Sequence, residues 1–123
     1  MVGLLRNNKD AVSKIRSLLS QDSGLFTSQI NIYELVKGAY LSNNAKENLE
    51  KVDLLLQTMN IAMFDQESAY LSGKISAQKE IRAKPVGQND IFIAAVAIKN
   101  RLKLVTRNKK HFENIQNLEI EDW

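Results

Sequence analysis

The sequence predicts an α/β domain, and three observations carry that prediction. Short β-like apolar runs alternate with longer segments of helical periodicity, the order expected of a parallel sheet covered by helices on both faces. The segment following Asp90 is apolar almost all round, which marks a helix buried on most sides. No repeat, low-complexity tract or linker interrupts the 123 residues. One domain spanning 1–123 is therefore expected, of a size that buries about two-thirds of its unfolded surface.

The elements follow in order. Asp10 caps a helix that carries Val12, Ile15, Leu18 and Leu19 at helical spacing. Gln21 to Gly24 break it, and Leu25-Phe26-Thr27 reads as a short strand. Ile30 to Leu41 is helical, with Tyr33, Val36 and Tyr40 three or four residues apart. Leu49, Val52, Leu55, Leu56 and Met59 mark an amphipathic helix. Ile61 to Phe64 forms a second strand, and Asp65 caps a helix from Gln66 to Arg82. Pro85 and Gly87 punctuate the chain before Asn89, the expected cap of a helix from Asp90 to Asn100. Leu102 to Thr106 is the third strand, Lys109 to Asn114 a helical turn, and Leu118 to Ile120 the last strand.

Composition narrows the chemistry. With 44% hydrophobic and 25% charged residues the chain resembles ordinary globular proteins. No apolar run approaches the roughly 20 residues of a membrane span, so no membrane partner is expected. Cysteine is absent, which removes disulfides and thiolate metal sites and fits a cytoplasmic protein. His111 is the single histidine, so neither a histidine-based zinc centre nor a Ser-His-Asp arrangement is credible. No phosphate loop of either glycine-rich type is present. The net charge of +3 mildly favours an anionic partner.

Two acids stand out. Asp90 opens the apolar helix, where an acid also simply complements the macrodipole, yet at the mouth of a buried helix it faces a crevice. Glu34 lies among Tyr33, Leu35 and Val36 shortly after the first strand, either partly buried or an exposed glutamate on an amphipathic helix. Asn108 follows the third strand and is a turn residue or a site residue. Oxygen donors without histidine or cysteine suit Mg²⁺ or Mn²⁺. Between Lys99 and Phe112 stand six basic residues (Lys99, Arg101, Lys103, Arg107, Lys109 and Lys110) and no acid. Beside an acidic crevice they would hold the phosphates of a polyanion; otherwise they form a solvated basic face.

Four stretches in order carry a family resemblance: Leu4-Leu-Arg-Asn-Asn8, Thr27-Ser-Gln-Ile-Asn-Ile-Tyr-Glu-Leu-Val-Lys-Gly-Ala39, Gly87-Gln-Asn-Asp-Ile-Phe-Ile-Ala-Ala95 and Leu104-Val-Thr-Arg-Asn-Lys-Lys-His-Phe112. With the closing Leu118-Glu-Ile-Glu-Asp-Trp123 they make the chain resemble a PIN domain, specifically the VapC-like toxins of toxin–antitoxin pairs. The resemblance implies a three-layer α/β/α fold with a parallel central sheet of order 3-2-1-4-5. It also implies a Mg²⁺- or Mn²⁺-dependent endoribonuclease acting on RNA, a homodimer and a cognate antitoxin. In the family's pattern Glu34 matches the glutamate of the second motif, Asp90 the later aspartate and Asn108 the polar position after Thr106. Glu34 and Asp90 are then the metal ligands, Asn108 completes the catalytic set, and Arg107 and Lys109 are the candidate RNA contacts.

The chain departs from that pattern at its beginning. Met1 to Arg6 reads as the end of a helix, whereas the family places its first strand and an aspartate ahead of such a segment. The expectation is that this first, central strand is missing, through a late start codon or a shortened chain, and that a natural truncation would weaken or abolish the nuclease. The rival expectation is a catalytically inert PIN-like module that binds protein or RNA. A receiver-like domain is a weaker rival, because its acidic pair and phosphoacceptor are not visible.

Overall fold

A computed structural model of the chain describes residues 26–106 and 108–122. Strand β1 (Phe26–Ser28) leads into α1 (Gln29–Leu41), which is followed by α2 (Ala45–Leu56) and β2 (Asn60–Ala62). Next come α3 (Gln66–Ala77), α4 (Lys79–Ala83) and α5 (Gln88–Lys99). The chain closes with β3 (Leu104–Val105), α6 (Lys109–Phe112) and β4 (Ile120–Glu121).

Both strand pairs are parallel, as helical crossovers require. β1 lies beside β2 with Phe26, Thr27 and Ser28 opposite Asn60, Ile61 and Ala62. β3 lies beside β4 with Leu104 and Val105 opposite Ile120 and Glu121. These are the two outer pairings of the expected 3-2-1-4-5 order, and no described strand joins them. The expected helix after Asp10, the Leu4–Asn8 motif and the expectation about the first strand all fall outside the described residues.

Helix α5 is the most buried helix among the described residues. Ile91, Ile93, Ala94, Ala95, Val96 and Ala97 are all buried, as its all-round apolar sequence predicts. One part of it packs with Ile75 of α3, Ile81 of α4, Leu104 of β3 and Phe112 of α6. Val96 and Ala97 pack instead with Ala62 of β2 and Leu102. Phe92 adds a tilted ring contact to Phe64, centroids 4.9 Å apart. A separate cluster of Leu35, Ala39 and Val52 joins α1 to α2.

The end of α5 is a Schellman turn. Leu102 N–H donates to Ala97 O at 2.8 Å and Arg101 N–H to Ile98 O at 3.1 Å. The accompanying apolar contact, Leu102 with Ala97, belongs to the same core cluster. Arg101 takes the left-handed position, with φ 54°, that glycine usually fills.

Three sequence expectations need correction. The helix expected from Gln66 to Arg82 is two helices, broken at Gln78, whose ψ of 142° is extended. The break has a packing reason. Ile75 and Ile81 are six residues apart, about 120° around a straight helix, yet both are core residues of one cluster. The helix expected from Asp90 starts at Gln88 with Gly87 as its cap, so Asn89 is inside the first turn. Finally, the last strand, expected over Leu118 to Ile120, is β4 over Ile120–Glu121, and its Glu121 pairs with Lys103 at 3.7 Å.

Candidate active site at the mouth of α5

The strand ends are polar although they are buried. Thr27 and Ser28 close β1, Thr106 follows β3, and all three are at most 3% exposed. Buried hydroxyls need partners, and here they organise the next helix. Ser28 is the N-cap of α1: its Oγ accepts from Asn31 N–H at 3.2 Å and donates to Asn31 Oδ1 at 2.8 Å. Thr106 Oγ1 accepts from the backbone N–H of Asn108 at 3.0 Å. The Asn108 carbonyl in turn accepts from His111 N–H at 2.9 Å, which starts α6.

That turn fixes where α6 delivers His111. Its Nδ1 lies 3.3 Å from Asp90 Oδ2. The Asp90 side chain is 10% exposed and that of His111 65%, so the histidine covers the solvent side of a buried carboxylate. Asp90 stands at the third position of α5, where a carboxylate is favoured by the helix dipole. The sequence placed it at a crevice, and the structure does bury it.

Glu34 approaches from α1. Ile30, one turn earlier on the same face, packs against the cluster built on Ile91, Ile93 and Leu104. Glu34 is half-buried. Asn108 is exposed and its backbone N–H donates to Thr106 Oγ1, which matches the turn reading. Lys109 is the exposed first residue of α6, and Arg107 lies outside the described residues. The basic stretch is also less free than its sequence suggests. Lys99 contacts Asp65, the cap of α3, and Lys103 faces Glu121.

His111 is the residue that sequence reasoning missed. As the single histidine it excludes a zinc centre and a triad, and nothing in one dimension connects position 111 to position 90. The clue was indirect: Asn108 and His111 are one turn apart after a strand end, so a cap at 108 aims 111.

Asp90 and Glu34 are hard oxygen donors of the kind that suits Mg²⁺ or Mn²⁺. No group of three or more acids or histidines converges among the described residues. Mg²⁺ commonly binds through one or two carboxylates, with water and substrate phosphates completing the shell. The two acids therefore fit such an ion in kind.

Comparison with known proteins places this geometry. The PIN domain family model matches residues 1–118. Ribonuclease VapC1 of Haemophilus influenzae is 28% identical over 123 residues, 100% of this chain and 92% of the relative. The tRNA(fMet)-specific endonuclease VapC of Salmonella typhimurium is 34% identical over 101 residues, 82% of this chain and 76% of the relative. Among solved structures, VapBC2 from Rickettsia felis bound to a DNA fragment from its promoter superposes with a TM-score of 0.86. It is 26% identical and covers 100% of this chain and 99% of that one. VapBC-1 from nontypeable Haemophilus influenzae gives 0.83 at 27% identity, covering 100% and 98%. The α/β architecture is that of a PIN domain, and this chain belongs to the PIN domain family.

Proposed function

We propose that this chain is a VapC-type endoribonuclease that hydrolyses RNA phosphodiester bonds with Mg²⁺ or Mn²⁺. The observation that carries the reading is the buried Asp90 carboxylate at the mouth of α5, covered by His111 and flanked by the basic turn of α6. Relatives named ribonuclease and endonuclease support it. Asp90 and Glu34 act as the metal ligands contributed by the described residues. The chemistry such a cation supplies when bound is neutralisation of phosphoryl charge and a lowered pKa for attacking water. Asn108, the N-cap of α6, would orient that water, while Arg107 and Lys109 would hold the RNA backbone. His111 excludes solvent from one side of Asp90 and fixes its carboxylate, as partners of ligating carboxylates commonly do.

An antitoxin and a second copy of the chain are the proposed protein partners. The neighbouring structures are VapBC complexes, which supports the first. No helix among the described residues is long and apolar enough to cross a membrane.

A second reading, an inert PIN-like module that binds RNA or protein, is favoured by one observation: no three ligating side chains converge among the described residues. One experiment separates the two. Purified protein with Mn²⁺ is incubated with structured RNA, beside an Asp90→Asn variant and a chelated control. The nuclease reading expects cleavage that needs both Asp90 and the cation. RNA left intact by the wild-type chain, or cut equally by the variant, supports the inert module.

A further inference from the structure

A cleft of about 320 Å³ lies beside the Asp90 site, between the segment that enters α5 and helix α6. Lys84, Pro85 and Gly87 line one wall; Lys110, His111 and Asn114 line the other. Two features tie it to Asp90. Gly87 is the cap of the helix on which Asp90 stands three residues later, and His111 touches Asp90 itself. Nothing in the sequence singled out Lys84, and Lys110 entered only as one member of a basic run.

We propose that this cleft is a binding subsite for an RNA phosphate next to the scissile bond, with Lys84 and Lys110 as its charge clamp. The inference rests on the ribonuclease reading and adds to it where the backbone is held. Both lysines are exposed and come from separate segments, so they face one space from opposite sides. The volume is at the lower end for ligand pockets, room for one phosphate and its sugar. No Phe, Tyr or Trp lines it, so it lacks the platform on which bases stack. The chemistry recognised is therefore backbone charge and not base identity.

The test measures binding of a labelled single-stranded RNA to the full chain in EDTA across a salt series, with cleavage in Mn²⁺ followed separately. The Lys84→Ala/Lys110→Ala double variant is expected to bind about tenfold more weakly. Each lysine lost lowers the slope of log affinity against log salt by about 0.7. Lys84→Arg/Lys110→Arg should restore binding. Lys46→Ala/Lys51→Ala, which removes equal charge from α2, should leave it unchanged. Binding by the cleft double variant equal to the wild type, or an equal loss in the α2 control, overturns the cleft while leaving the ribonuclease reading in place. Inorganic phosphate that displaces RNA at micromolar concentration also overturns it, because the cleft would then be a free-phosphate site. A wild-type chain that neither binds nor cleaves RNA overturns the ribonuclease reading and the cleft with it.

Discussion

At the end of β1, Ser28 spends its hydroxyl on Asn31 and so starts α1. At the end of β3, Thr106 spends its own on the Asn108 amide and so starts α6. Both strand pairs thus use a buried hydroxyl to turn the chain into a helix. What differs is the cargo. The thirteen residues of α1 carry Glu34 more than a turn in and bury Leu35 and Ala39 against α2. The four residues of α6 bury only Phe112 and bring His111 onto Asp90. The first pair builds scaffold with one acid attached, whereas the second is almost wholly committed to the site. Short elements at strand ends can be placed accurately only if something rigid lies beneath them, and α5 is that support for both.

Disturbing α5 should therefore have the largest effect. Ile93, 1% exposed, packs in the cluster beneath β3 and α6. Ile93→Ala is expected to cost about 2–5 kcal/mol in chemical denaturation. A cost below 1 kcal/mol would mean that α5 is not the shared support. Next comes the cargo of α6. His111→Ala should weaken Mn²⁺ binding about tenfold or more, measured calorimetrically, with little change in folding stability. His111→Asn, which keeps a donor near the Nδ1 position, should recover part of that loss. If alanine and wild type bind Mn²⁺ equally, the histidine only covers the site.

The two hydroxyls sharpen the comparison at smaller scale. Ser28→Ala removes an N-cap and a partner of the buried Asn31, a loss of about 1–2 kcal/mol. Thr106→Val keeps shape and loses one hydrogen bond, about 1 kcal/mol. The stability ranking should reverse in the Mn²⁺ titration, where only Thr106→Val disturbs the turn that aims His111. The smallest expected effect is a gain. Arg101→Gly relieves a left-handed residue at the end of α5, a strain of about 1 kcal/mol. Glycine's greater freedom in the unfolded chain offsets much of it, so thermal denaturation should show a rise of no more than a few degrees.

Much of this was legible because it depends on local pattern. The all-apolar run after Asp90 announced a buried helix, and the acid at its mouth proved buried as well. The cap at Asp65 was readable from residue type and spacing, whereas Asn89 proved to lie inside the first turn of α5. Three things were not legible. The break at Gln78 follows from Ile75 and Ile81 sharing one core, a tertiary demand that helical periodicity cannot express. The pairing of Lys99 with Asp65 and of Lys103 with Glu121 depends on which segments meet, so the basic stretch looked freer than it is. The meeting of His111 with Asp90 spans 21 residues and two helices, and no spacing rule reaches that far. Arg107 and the first 25 residues lie outside the comparison.

The central claim is that the buried carboxylate at the mouth of α5 is catalytic and not only a helix-dipole partner. The direct measurement is RNA cleavage by wild type and Asp90→Asn at matched Mn²⁺, with folding monitored by circular dichroism. The account predicts that the variant keeps its fold and its thermal midpoint while its cleavage rate falls by on the order of 100-fold or more. A folded Asp90→Asn variant that cuts RNA at the wild-type rate would contradict it.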